Sequence, residues 1–221
     1  MSAPSKIVQT EELPSTWSDT LSCLWTGWSC LFMAWLFYRA WWRPMELDGG
    51  RWVNLGVGVM VLEFIVVHSG GVLHHLMEQK AGWGRTKTAL GLTVLYMLFG
   101  VGIALGFRSW WLLGSYALVM SGRLWALFAG HWTPMDQAIS QRRMAFCVVL
   151  YLGLTFVTLF LPVPRGGLTP GLIASVGSGK SSGVWVDHPE KALAMGTAYF
   201  FLLGLVEMRP PRRRLQVPVK G

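Results

Sequence analysis

Long apolar runs separated by short polar connectors set the rhythm of this chain. A helix crossing a bilayer needs about 20 mostly apolar residues, and six segments reach that length: 20–40, 52–76, 88–107, 110–130, 144–163 and 191–208. Most are apolar on every side rather than along one stripe, as contact with lipid requires. The pattern predicts an all-α, polytopic integral membrane protein with six transmembrane helices. A polar segment, 1–19, precedes the helical domain, 20–208, and a basic tail, 209–221, follows it. The longest connector, about 164–189, is rich in Gly, Ser and Pro; loops of this length are functional, docked or disordered. Residues 1–16 are polar, carry Glu11 and Glu12, and lack the basic start and short apolar core of a signal peptide.

Composition agrees. Of 221 residues, 52% are hydrophobic and 14% charged, against roughly 25% charged in ordinary globular proteins. So few charges cannot coat a soluble domain of this size. The 13 tryptophans and 26 glycines suit interfacial aromatic belts and close helix contacts. Cys23, Cys30 and Cys147 all fall in apolar segments and read as small buried residues; Cys23 and Cys30 stand too far apart along one helix for a disulfide.

The net charge of +8 acquires a meaning once the Lys and Arg are sorted by side. With six spans both termini share a face. That face collects Lys6, Lys80, Arg85, Lys87, Arg142, Arg143, Arg209, Arg212, Arg213, Arg214 and Lys220, against seven basic residues opposite. The bias places both termini in the cytoplasm. Arg209, Arg212, Arg213 and Arg214, directly after the last span, point to anionic lipid headgroups. No soluble basic region with interleaved aromatics exists, so nucleic acid is not expected as a partner.

Ionisable groups at membrane depth are costly and mark candidate function. Glu63 lies about 16 Å in from Trp52, and His68 about 24 Å, at the helical rise. Arg123 lies about 20 Å in from Trp110, at a depth between them. A Glu63–Arg123 pair with His68 nearby is therefore expected, either as a structural lock between spans two and four or as a proton, anion or substrate site. Below it, His74 and His75 share a level with His131. With His68 they form a possible transition-metal or haem set, although no carboxylate or cysteine completes a recognised ligand spacing. No cofactor is expected. The stretch 174–181 imitates a phosphate-binding loop but has Ala174 in place of the first glycine and no preceding strand, so no nucleotide is expected. Gly102 and Gly106 form a GxxxG on span three, while Gly56, Gly58, Gly70 and Gly71 line span two. Such residues let helices approach closely, inside the bundle or against another subunit.

Two stretches, Glu63-Phe-x-x-x-His68-x-Gly-Gly71 and Asp187-His-Pro-Glu-Lys-x-Leu-Ala-x-Gly-x-x-Tyr-Phe200, resemble an uncharacterised family of bacterial multi-pass membrane proteins. The resemblance brings no activity. It implies that His188, Glu190 and Tyr199 belong with Glu63 and His68 as candidates, although Pro189-Glu190 also suits a helix start. Three functions remain open: an accessory subunit of a larger inner-membrane assembly without catalysis of its own, a proton- or ion-coupled transporter using Glu63, His68 and Arg123, and a metal, pigment or haem protein.

Overall fold

The structure is a computed structural model that describes residues 8–13, 17–78, 82–129, 134–176, 183–209 and 213–218. Five long helices follow one another: α1 (Trp17–Trp42), α2 (Arg51–Glu78), α3 (Trp83–Gly106), α4 (Trp110–Ala129) and α5 (Pro134–Phe160). Two short helices, α6 (Pro170–Val176) and α7 (Val184–Asp187), then lead to α8 (Pro189–Glu207). Among the described residues, four segments are helices long and apolar enough to cross a membrane: Thr20–Trp42, Asp48–Val72, Trp83–Gly106 and Gln137–Phe160. The other two expected spans coincide with α4 and with α8, whose 19 residues include Glu190, Lys191 and Glu207.

Local chemistry explains the helix ends. Between α1 and α2 the chain reverses through two single-turn 3-10 segments, Pro44–Glu46 and Asp48–Gly50. Asp48, Gly49 and Gly50 take φ of 50, 61 and 89° in succession, and Glu46 pairs with both Arg39 and Arg43. Helix α5 starts at Pro134, ten residues before the expected span, because the polar turns from 134 to 143 are helical without being apolar. Helix α8 opens on Pro189 with Glu190 in its first turn, as the sequence predicts.

Two apolar clusters share α2. One joins α1, α2, α5 and α8 around Phe37, Met60, Tyr151, Leu193, Met195 and Tyr199. The other joins α2 to the α3–α4 hairpin around Leu62, Tyr96, Leu112, Tyr116 and Met120. Helices α1 and α8 run antiparallel in close contact. A β-carbon at Gly27 would fall 2.9 Å from the Gly204 carbonyl oxygen, and one at Gly204 would fall 3.0 Å from the Gly27 oxygen. On α2, a β-carbon at Gly56 would meet Leu193 and one at Gly58 would meet Leu112 and Phe107. Gly102 and Gly106 differ: both are exposed, and a β-carbon at either meets nothing within 4 Å. They do not hold the internal bundle.

Two further features depart from the sequence pattern. The described parts of the long connector are docked: Trp41 Nε1 donates to the Pro164 carbonyl at 2.9 Å, the Gly167 amide donates to the Trp41 carbonyl at 3.0 Å, and Leu168 is buried. A short ribbon also accompanies the helices. Strand β1 (Val8–Leu13) pairs antiparallel with β2 (Arg213–Pro218), in a register running from Val8 opposite Pro218 to Leu13 opposite Arg213. This two-stranded ribbon joins the two ends of the chain where α1 begins and α8 finishes.

Candidate functional site

Helices α5 and α8 are antiparallel, and each presents a row of residues at four-residue steps, several of them polar, so a position on one meets a fixed counterpart on the other. At the ribbon end Arg143 pairs with Glu207 at 2.8 Å, and the Glu207 side chain is 11% exposed. Further along, the Tyr151 and Tyr199 rings meet edge to face, 5.6 Å between centroids. Thr155 Oγ1 then reaches Met195 Sδ at 3.5 Å. Finally Lys191 Nζ donates to the Leu159 carbonyl at 2.8 Å. Such rows fit because residues four apart lie nearly above one another on a helix.

Helix α2 enters this row near its middle. Tyr199 Oη donates to Glu63 Oε1 at 2.9 Å, and Tyr151 Oη donates to the Met60 carbonyl at 2.7 Å. Cys147, four residues after Arg143, lies beside the same Tyr199 hydroxyl and is a free thiol. Tyr199 is fully buried and Glu63 half-buried. Three helices therefore converge on one carboxylate, which accepts a phenolic hydrogen bond in apolar surroundings. A carboxyl so placed can accept, hold and release a proton at a single atom, and it also ties α2 to α8.

The candidates are distributed as follows. Glu63 and Tyr199 come together. His68 does not join them: five residues along a helix turns it about 140° away, and it is exposed, its ring near Phe64 and Tyr96 at 6.1 and 6.0 Å. His75 is exposed near the end of α2. The Arg123 and His74 side chains and the whole of His131 lie outside the described residues. Among the described residues no three of His, Cys, Asp and Glu gather as metal ligands. His188 and Glu190 form a separate pair at the start of α8, with Nδ1 to Oε1 at 3.2 Å. Glu190 is 4% exposed, and its Oε2 has no hydrogen-bond partner among the described residues. Arg209 is exposed just beyond α8. Arg213 and Arg214 belong to β2, Arg214 opposite Glu12 in register, whereas Arg212 lies outside the described residues.

Sequence reasoning passed over Arg143–Glu207 and Tyr151. The four-residue steps Arg143-Cys147-Tyr151 and Lys191-Met195-Tyr199 were a readable signal for a shared polar face. What the fold and site define is a helical bundle with membrane-competent spans and a satisfied polar row inside it. No known protein family, curated protein or solved structure matches the chain.

Proposed function

We propose that this chain is a six-helix integral protein of the bacterial inner membrane, serving as a non-catalytic structural or accessory subunit of a larger membrane assembly. The observation that carries this reading is how the polar groups between α2, α5 and α8 are used. Glu207 is taken by Arg143, the Tyr199 hydroxyl by Glu63, the Tyr151 hydroxyl by a backbone carbonyl and Lys191 by another. Groups spent on one another fasten helices together, and polar contacts of this kind are a usual fastening between membrane helices. The ribbon that joins β1 to β2 supports an even number of spans, and the eleven-to-seven distribution of basic residues supports cytoplasmic ends. Arg209 and the basic residues after it suit anionic headgroups on that side. Purification in a mild detergent tests the role: partner membrane subunits in fixed stoichiometry are expected, and a chain that purifies alone and intact from its native membrane refutes it.

A second reading, proton- or ion-coupled transport, draws support from the Tyr199–Glu63 hydrogen bond near the middle of α2. It predicts proton or ion flux in liposomes that Glu63→Gln abolishes. Flux unchanged in that variant removes Glu63 from any such path.

A further inference from the structure

The outer face of α3 carries an open apolar groove of about 410 Å³, within the size range of small-molecule clefts. Leu95, Leu98, Phe99 and Ile103 flank it, Gly102 and Gly106 leave the gap between them, and Phe107 closes one end. From Leu95 to Phe107 is twelve residues, about 18 Å along the helix axis. That is a little over half of a hydrocarbon core about 30 Å thick, so the groove has the length of one lipid leaflet.

The groove lining is apolar throughout, and the nearest charge in sequence lies just past its Phe107 end. Arg108 follows directly on Phe107, is exposed, and forms no ion pair among the described residues. Its backbone sits at φ 50°, a region that bulky side chains rarely adopt, in the tight turn from α3 to α4. Trp110 and Trp111, 68% and 75% exposed, stand just beyond it. Exposed tryptophans beside an arginine are the residues expected at headgroup level. A leaflet-long apolar groove is thus followed, one residue past Phe107, by an exposed arginine with no ion pair among the described residues.

We infer that this groove binds one anionic phospholipid, with an acyl chain lying along Gly102 and Gly106 and the phosphate on Arg108. The charge decides between lipid and a second copy of the chain. Two copies related by a two-fold axis along the membrane normal would bring their Arg108 side chains to one depth, like charge facing like charge. A phosphate supplies the opposite sign. The site rests on the membrane reading above but is independent of any subunit role.

Two variants test the site and leave the fold intact. Arg108→Gly removes the charge and suits φ 50° better than arginine does. Gly102→Leu fills the groove where a β-carbon meets no neighbour within 4 Å. The readout is native mass spectrometry of the full chain in detergent, titrated with phosphatidylglycerol or with phosphatidylcholine of the same acyl chains. The native chain is expected to retain one phosphatidylglycerol in preference to phosphatidylcholine. Arg108→Gly should weaken that preference about fivefold, the factor expected for one basic residue at an anionic surface. Gly102→Leu should lose the retained lipid of either kind. An unchanged preference in Arg108→Gly overturns the proposal, as does an unchanged adduct in Gly102→Leu. A dimer lost only in Gly102→Leu would overturn it too, giving the groove to a second copy. Alkaline carbonate extraction of membranes, done first, separates two failures: release of the chain sinks the membrane reading, whereas retention without a selective adduct sinks the groove alone.

Discussion

Replacing Gly27 with alanine tests the close contact between α1 and α8. The new β-carbon would lie 2.4 Å from Met208 Cγ, 2.9 Å from the Gly204 carbonyl oxygen and 3.0 Å from the Met208 amide nitrogen. A methionine side chain can swing away, but the two backbone atoms belong to the end of α8 and cannot move without it. The helices must therefore part. Overpacking of this kind costs about 1–3 kcal/mol, and the better helix propensity of alanine returns up to about 1 kcal/mol. The net loss is about 1–2 kcal/mol, or a Tm lower by about 2–8 °C for a chain of this size. Gly102→Ala is the internal control. It has the same propensity gain and no neighbour within 4 Å, so its Tm should equal or exceed that of the native chain. The double variant Gly27→Ala/Gly204→Ala should cost less than the two singles added, since one separation of α1 from α8 admits both methyl groups. The assay is thermal unfolding of the full chain in one detergent, followed by loss of monodispersity. A Gly27→Ala Tm equal to that of Gly102→Ala would refute the close approach.

Other outcomes follow from single contacts. Tyr199→Phe removes the donor to Glu63 and should cost about 0.5–1.5 kcal/mol, the net worth of a typical hydrogen bond; a double-mutant cycle with Glu63→Gln should show coupling between the two positions, and strictly additive losses would argue against the contact. Arg143→Gln and Glu207→Gln should each lower the Tm, and the exchange Arg143→Glu/Glu207→Arg should recover part of the loss; no recovery would mean that each residue acts alone. Gly166→Ala combines φ 61° with a β-carbon 2.7 Å from the Trp41 carbonyl oxygen, so it should undock the connector and speed its proteolysis while the helices stay protected. Equal cleavage rates in the native chain and the variant would contradict the docking.

The helices were legible in the sequence because span length is a property of one segment at a time. Depth along a helix was legible too, and it placed Glu63 near mid-span. Direction around the helix was not. Depth alone suggests that Glu63 and His68 cooperate, yet the five residues between them send one toward α8 and the other toward Tyr96. The partner that the structure gives Glu63, Tyr199, was marked only by a resemblance, since nothing local announces which distant helix a carboxylate will face. Glycines show the same limit. The GxxxG spacing singles out Gly102 and Gly106, while a close helix contact falls on Gly27 and Gly204, which have no short-range motif. The ribbon was illegible for a related reason: β1 and β2 are short, polar and about as far apart in sequence as this chain permits. Docking of the long connector depends on one tryptophan and the carbonyl of Pro164, and composition alone could not separate that outcome from disorder.

The pairing of β1 with β2, together with the contact of α1 and α8, sets a timetable for synthesis. The first helix finds its main neighbour only when the last has been made. Between Trp42 and Pro189 lie nearly 150 residues, roughly 8–30 s of translation at ~5–20 residues per second. Through that interval the Gly27 face of α1 has no α8 against it and stands open to lipid or to other nascent helices. Closure of α1 against α8 thus waits until α8 has been made, and the β1–β2 ribbon is its latch.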